Sequence, residues 1–394
     1  MNHTESLRPR LDRIQQRSLI VGVVGLALCV VGFFMESEQF FRSYLFGYLF
    51  WLGLGAGSFA ILMLHNLVGG SWGFSIRRVL ESSARTLPWL AILFIPILFG
   101  IHSIFEWSHE HVVAADPILS HKEKYLNGSF FVVRAVIYFA IWVGYSMFLM
   151  RKMRRQEANG GIYDSRPIQN FSAFGLIVYF LTATLASIDW MMSLEPHWYS
   201  TVYGMLFIVN QALSTFAFSI IMVVMMMKAS SDFGSRIKQV YVHDLGNLLF
   251  AFTMLWAYIS VSQLIIIWSG NIPEEVTWYM HRVVGGWQFL PIILVFLHFV
   301  LPFAVLLLRK TKRNPKLLAR VAMLVIVMRF VDLYWLIAPA FSPEGFHISW
   351  LDIAAPVGVG GIWLYLFIRE LKKETTMLPL NTPFLVQEAA AEHG

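Results

Sequence analysis

The chain has 394 residues, 57% hydrophobic and only 14% charged, with a mean hydropathy of +0.61. That composition excludes a water-soluble globule and points to a polytopic membrane protein. The net charge is +6, and the single cysteine, Cys29, excludes a disulfide framework, a cysteine-ligated iron–sulfur cluster and C-x-x-C-H haem attachment.

A membrane-spanning helix needs about 20 apolar residues. Ten such runs lie near 18–35, 44–68, 86–105, 129–150, 168–190, 200–228, 244–268, 283–308, 319–337 and 348–369. Lipid offers backbone groups no hydrogen bonds, so the expected fold is all-α, with ten transmembrane helices. Most of the 30 lysines and arginines fall in the N-terminal segment, in the loops after spans 2, 4, 6 and 8, and in the tail. The positive-inside rule then puts both termini in the cytoplasm. The basic tract 309–320 reads as a topology and lipid-headgroup signal, and no nucleic-acid partner is expected.

In chain order, 1–17 is a cytoplasmic segment and 18–39 carries a peripheral first helix. That helix lacks a small-residue cleavage site and is read as a membrane span. Span 2 contains Gly53-x-x-x-Gly57, a spacing that permits close helix contact. Comparison of the halves then shows a repeat. Gly47-x-Leu49-Phe50 with Gly57-Ser58-Phe59-Ala60 recurs as Gly204-x-Leu206-Phe207 with Ser214-Thr215-Phe216-Ala217. Trp107-Ser108 finds Trp268-Ser269, which sets His102 against Gln263, while a weaker match sets Arg134 against Gln288. Asp189 and Pro196 match Asp332 and Pro339. The expected organisation is two tandem four-helix bundles in a parallel repeat, 40–197 and 198–342. A second peripheral helix (343–370) and a cytoplasmic tail (371–394) follow.

An ionisable residue inside a span is costly and usually faces a partner or a cavity. His102, Glu106, Arg134, Asp189, Glu195 and His197 are expected at one depth in the outer half of bundle one, and Gln263, Gln288, Arg329 and Asp332 at that depth in bundle two. Two readings stay open. Arg134 with Asp189 and Arg329 with Asp332 are ion pairs that fix packing, or a carboxylate, an imidazole and a guanidinium serve proton transfer. Toward the cytoplasm, His65, His243, Asp244 and His298 are candidates for a proton path, with Ser58, Asn210, Gln211 and Thr215. Paired histidines for haem b are not evident. Glu106-x-x-His109 with His102 has the spacing of a di-metal motif but sits at a loop edge, so no metal site is expected.

The stretches Gly-Tyr-Leu-Phe-Trp-Leu-Gly-Leu-Gly-Ala-Gly (47–57), Trp-Ser-His-Glu-His (107–111) and Ser-Ile-Asp-Trp-Met-Met-Ser-Leu-Glu-Pro-His-Trp (187–198) carry a resemblance, as does the run 256–286. With the ten spans and tandem bundles, the chain resembles the F-type membrane subunit of bacterial alternative complex III, in the polysulfide-reductase-like family of membrane anchors. The resemblance implies a bacterial inner-membrane subunit of a quinol:cytochrome c oxidoreductase that binds no cofactor itself. It further implies contact with menaquinol or another quinol, proton translocation, and lipid neighbours. Implied partners are a paralogous C-type membrane subunit, an iron–sulfur subunit and c-type haem subunits. His102, Arg134, Asp189 and Asp332 fall on the family's outer polar positions. The competing classes are a proton-coupled secondary transporter and a purely structural anchor for peripheral redox subunits.

Overall fold

The structure, a computed structural model, describes residues 3–158, 166–374, 376 and 378, so most of the tail anticipated at 371–394 lies outside the described residues. Those residues contain no strand. Ten helices are long and apolar enough to cross a membrane: α1 (Leu7–Met35), α2 (Ser37–Val68), α3 (Ser71–Phe99), α4 (Gly128–Ala158), α5 (Arg166–Leu194), α6 (Tyr203–Ala229), α7 (Gln239–Gly270), α8 (Phe289–Leu307), α9 (Pro315–Ala340) and α10 (Leu351–Leu371). The chain is an all-α multi-pass membrane protein.

Each anticipated span has its helix, but several begin earlier than hydropathy suggests, α1 and α3 by the most. The helix of α1 runs back through Arg8, Arg10, Arg13 and Arg17, so the segment 1–17 is helical from His3 onward. In α3 the first turns carry Arg77, Arg78, Glu81 and Arg85, whose charges mask them from a hydropathy scan. They are tolerated because they neutralise one another: Arg78 Nη1 donates to Glu81 Oε2 at 2.8 Å and Arg77 Nε to Glu81 Oε1 at 2.9 Å.

α2 and α6 are the central helices, with 94% of each apolar window buried, against 28% for α1. α2–α5 and α6–α9 form two four-helix bundles, joined where α2 meets α6 and α9 and where α5 meets α6. The Gly57 end of the anticipated glycine spacing makes the α2–α6 approach. A Cβ there would lie 2.6 Å from the Gln211 carbonyl oxygen and 2.5 Å from Thr215 Oγ1. α10 is outside both bundles in sequence yet is largely enclosed, wedged between α1 and α2. Trp363 of α10 donates to Thr86 Oγ1 of α3 at 3.0 Å, and Trp51 of α2 donates to the Pro356 carbonyl at 2.8 Å.

Two helices are interrupted. Near Pro88 and Pro96, α3 breaks into short helices, and Tyr48 and Tyr44 of α2 donate hydroxyl hydrogens to the Leu90 and Leu93 carbonyls, each at 2.8 Å. α8 widens to a π-helix over Leu294–Val300, which carries His298. These interruptions fall at non-equivalent places in the two bundles. The start of α1 and the end of α10 lie on one side, where Lys372 is ion-paired with Asp12. That side is the terminal face, and the opposite one the distal face.

α1 and α10 cross at glycines: a Cβ on Gly361 would lie 2.4 Å from Gly22 Cα, and one on Gly25 2.6 Å from Gly358 Cα. Gly361→Leu is therefore expected to force the two helices apart, at a cost of about 1–3 kcal/mol as for other overpacked sites. A lowered melting temperature of the detergent-purified protein is the expected outcome, and an unchanged one would show that the crossing contributes little.

Candidate functional site

The six side chains expected to form one distal cluster in bundle one separate into distinct groups. Arg134 of α4 and Asp189 of α5 are both buried and paired, with Arg134 Nε donating to Asp189 Oδ2 at 2.8 Å. Tyr138 donates to the same oxygen at 2.8 Å. Arg134 Nη1 also donates to the Tyr125 carbonyl at 2.6 Å, and the guanidinium stacks over the Tyr125 and Phe130 rings at 4.0 and 4.5 Å. Beside this pair Trp190 is fully buried, with Phe94, Trp142 and Phe139 rings 4.9 to 5.9 Å away. The aromatic side chains of bundle one thus fill their own interior.

The others lie elsewhere. His102 and Glu106 are exposed at the distal end of bundle one, where the His102 ring lies 5.6 Å from that of His109. His197 is also largely exposed and pairs with Asp116 of the distal loop. That hydrogen bond is the main reason the Asp116 carboxyl is held below the usual carboxylate range. All three lie beyond the ends of α3 and α5, His102 in a short helix, Glu106 in a 3-10 turn and His197 in a turn, whereas Asp189 is buried within α5. Among the described residues, no three His, Cys, Asp or Glu side chains converge as metal ligands would.

Glu195 joins the bundles instead. Its two oxygens take His281 Nδ1 and Arg282 Nη1, each at 2.7 Å. Arg282 belongs to a distal loop helix, Pro273–Val283, and is fully buried. It stacks 3.7 Å over the Trp278 ring and donates to the Leu336 carbonyl at 2.9 Å. Burial pushes its pKa down and Glu195 opposes that shift. In the sequence Arg282 falls in the connection between the apolar runs 244–268 and 283–308, with no evident partner. The available signal was an arginine directly after Trp278-Tyr279-Met280-His281, in a loop helix whose polar and apolar residues segregate.

In bundle two, Arg329 and Asp332 are buried and ion-paired within α9. Asp332 opens onto a lateral cavity of about 720 Å³ between α7, α8, α9 and the loop helix. Its walls include Trp256, Leu294, Phe299, Trp335 and Leu336, while Gln263, Tyr279, Ser260 and Asp332 supply polar groups. Gln263 also faces Ser200, whose hydroxyl donates to it at 3.5 Å. Tyr279 is pushed up to about 12 by burial, so it enters as a neutral hydroxyl. Gln288 stands apart, exposed, with its side-chain oxygen accepting from the Gly286 backbone at 2.8 Å. Its place in the loop, rather than inside α8, separates it from the position of Arg134.

Of the residues assigned to an inner path, Asp244 accepts from Ser71 at 2.9 Å, His243 Nδ1 lies 3.3 Å from the Asn247 amide and His65 Nε2 is 3.1 Å from the Gly70 carbonyl oxygen. His298 belongs with bundle two: it is fully buried, its ring 4.3 Å from that of Trp256. A further set of buried polar side chains lines the interface between bundles, where Asn210, Gln211, Ser214 and Arg329 border one small space. Thr215 and Ser58 adjoin them on α6 and α2.

The fold and these buried charges define a multi-pass helical membrane protein with an ion pair in each of two bundles. No known protein-family model matches the chain, and no curated protein matches it in sequence.

Removing one member of a buried ion pair costs about 3–5 kcal/mol, whereas replacing both by apolar residues is often near neutral. Arg134→Met is therefore expected to lower the melting temperature of the purified protein more than Arg134→Met/Asp189→Leu does. A double variant at least as unstable as the single one would show that the two residues act independently.

Proposed function

We propose that the protein is the membrane subunit of a quinol:electron-acceptor oxidoreductase of the alternative complex III type, and that it holds hydroquinone in the lateral cavity of bundle two. The observation that carries this reading is the cavity itself. It offers about 720 Å³ with apolar and aromatic walls, and its lining includes a carboxylate, an amide and a neutral phenol, groups able to partner the two hydroxyls of a ring. A saturated acyl chain has no use for Asp332, Gln263 and Tyr279.

Hydroquinone oxidation to quinone releases two electrons and two protons. Asp332, held by Arg329, is the group in this chain suited to accept a proton from one ring hydroxyl, while Gln263 and Tyr279 hold the other. The electrons pass to iron–sulfur and c-type haem groups of partner subunits, since the one cysteine here is buried in α1. Arg329 also borders the interface space with Asn210, Gln211 and Ser214, a row able to hold water and pass protons between the site and the interior. On this reading the distal face is the outer one, the termini are cytoplasmic, and the membrane is the bacterial inner membrane. The Arg134–Asp189 pair fixes the packing of bundle one.

The test is purification through a tag on this chain, followed by quinol:cytochrome c activity of wild type, Gln263→Leu and Asp189→Asn. Copurified c-type haem and an about tenfold rise in the KM for quinol in Gln263→Leu are expected, the size of one lost hydrogen bond of about 1.4 kcal/mol. A haem-free preparation without quinol oxidation would favour a transporter. Full activity with an unchanged KM in Gln263→Leu, and a loss in Asp189→Asn, would move the site to bundle one.

A further inference from the structure

At the terminal face a second cavity, of about 860 Å³, opens between the ends of α6 and α8 and the starts of α7 and α9. Its walls combine Val224 and Met227 of α6 with Lys228, Arg309, Lys310, Arg313 and Lys316. No acidic side chain lines it, and none of the five cations takes part in an ion pair among the described residues.

Another part of the same face is built differently. Arg78 and Arg85 close onto Glu81 and Glu374, Arg78 also onto Glu157, and Arg154 onto Glu374. Lys372 meets Asp12, and Arg369 and Lys373 meet Glu370. The starting turns of α3 and the end of α10 are thus neutralised by the chain itself, whereas the five cations of this cavity, like Arg151, Lys152 and Arg155 at the end of α4, meet no carboxylate among the described residues. Topology alone asks only for positive residues on one side. It does not ask that five of them surround a hollow with an apolar floor.

We propose that this cavity is a binding site for an anionic phospholipid, its phosphate against Arg309, Arg313, Lys228, Lys310 and Lys316 and one acyl chain along Val224 and Met227. Guanidinium groups suit phosphate oxygens because they offer paired donors in a fixed plane. The apolar floor selects a lipid over a free anion. A headgroup seated here ties the ends of four helices of bundle two together, the bundle whose helices also enclose the lateral cavity. The assignment stands on the charge pattern and does not depend on quinol chemistry.

The test uses the whole protein in nanodiscs of phosphatidylcholine containing a minor fraction of phosphatidylglycerol, with bound lipid counted by native mass spectrometry after release. Three forms are compared: wild type, Arg309→Gln/Arg313→Gln/Lys316→Gln, and the charge-matched control Arg151→Gln/Lys152→Gln/Arg155→Gln. Wild type and control are expected to retain phosphatidylglycerol. The cavity variant is expected to retain at least about tenfold less, given that each cation near an anionic headgroup contributes on the order of fivefold. Equal retention by the cavity variant and wild type, or an equal loss in the control, overturns the proposal in favour of diffuse attraction. Displacement of the lipid by millimolar inorganic phosphate overturns it in favour of a soluble anion.

Discussion

A charge in hydrocarbon has no water to turn to, so each buried ion in this protein must find its partner inside the chain, and the helix arrangement follows from how those partners are met. Asp189 takes Arg134 and Tyr138, Glu195 takes Arg282 and His281, and Asp332 takes Arg329. Asp352 of α10 is met by Ser43 at 2.6 Å, Gln39 at 3.2 Å and Tyr334 at 3.1 Å. The first pairing joins α4 to α5, the second joins the exit of bundle one to the loop helix over bundle two, and the last joins α2, α9 and α10.

The two bundles meet this constraint with different consequences. In bundle one the residue after the acid is Trp190, and its ring fills the interior together with Phe94, Phe139 and Trp142. In bundle two the residue after the acid is Leu333, a smaller side chain. There the acid borders a cavity and an arginine stays within one helix turn of it. A repeat that keeps the acid and changes its surroundings can keep one copy for packing and use the other for chemistry. That division is the basis for seating hydroquinone in the second copy.

Hydropathy alone made the ten helices legible, because lipid leaves a chain of this composition no other fold. The Gly57 contact was legible too, since small residues at helical spacing mark close approach. The grouping of polar residues was not. His102, Glu106 and His197 follow the ends of α3 and α5 and are exposed, whereas Asp189 is buried within α5, and a linear sequence shows apolar runs more plainly than the point where each helix ends. Gln263, set against His102 by the repeat and a candidate of bundle two, lines the cavity with Asp332 and with Tyr279, a neighbour the repeat does not supply. Arg282 had no evident partner because its loop helix lies between two apolar runs, where a hydropathy scan finds only a connection.

The central claim is that a quinol ring sits in bundle two, against α7 and α8. Photolabelling of the intact purified complex with an azido-substituted quinone, followed by peptide mapping, tests it most directly. The account predicts label within 254–265 or 291–300, competed away by excess unlabelled quinol. Label confined to α4 and α5 of this chain, or to other subunits alone, would contradict it.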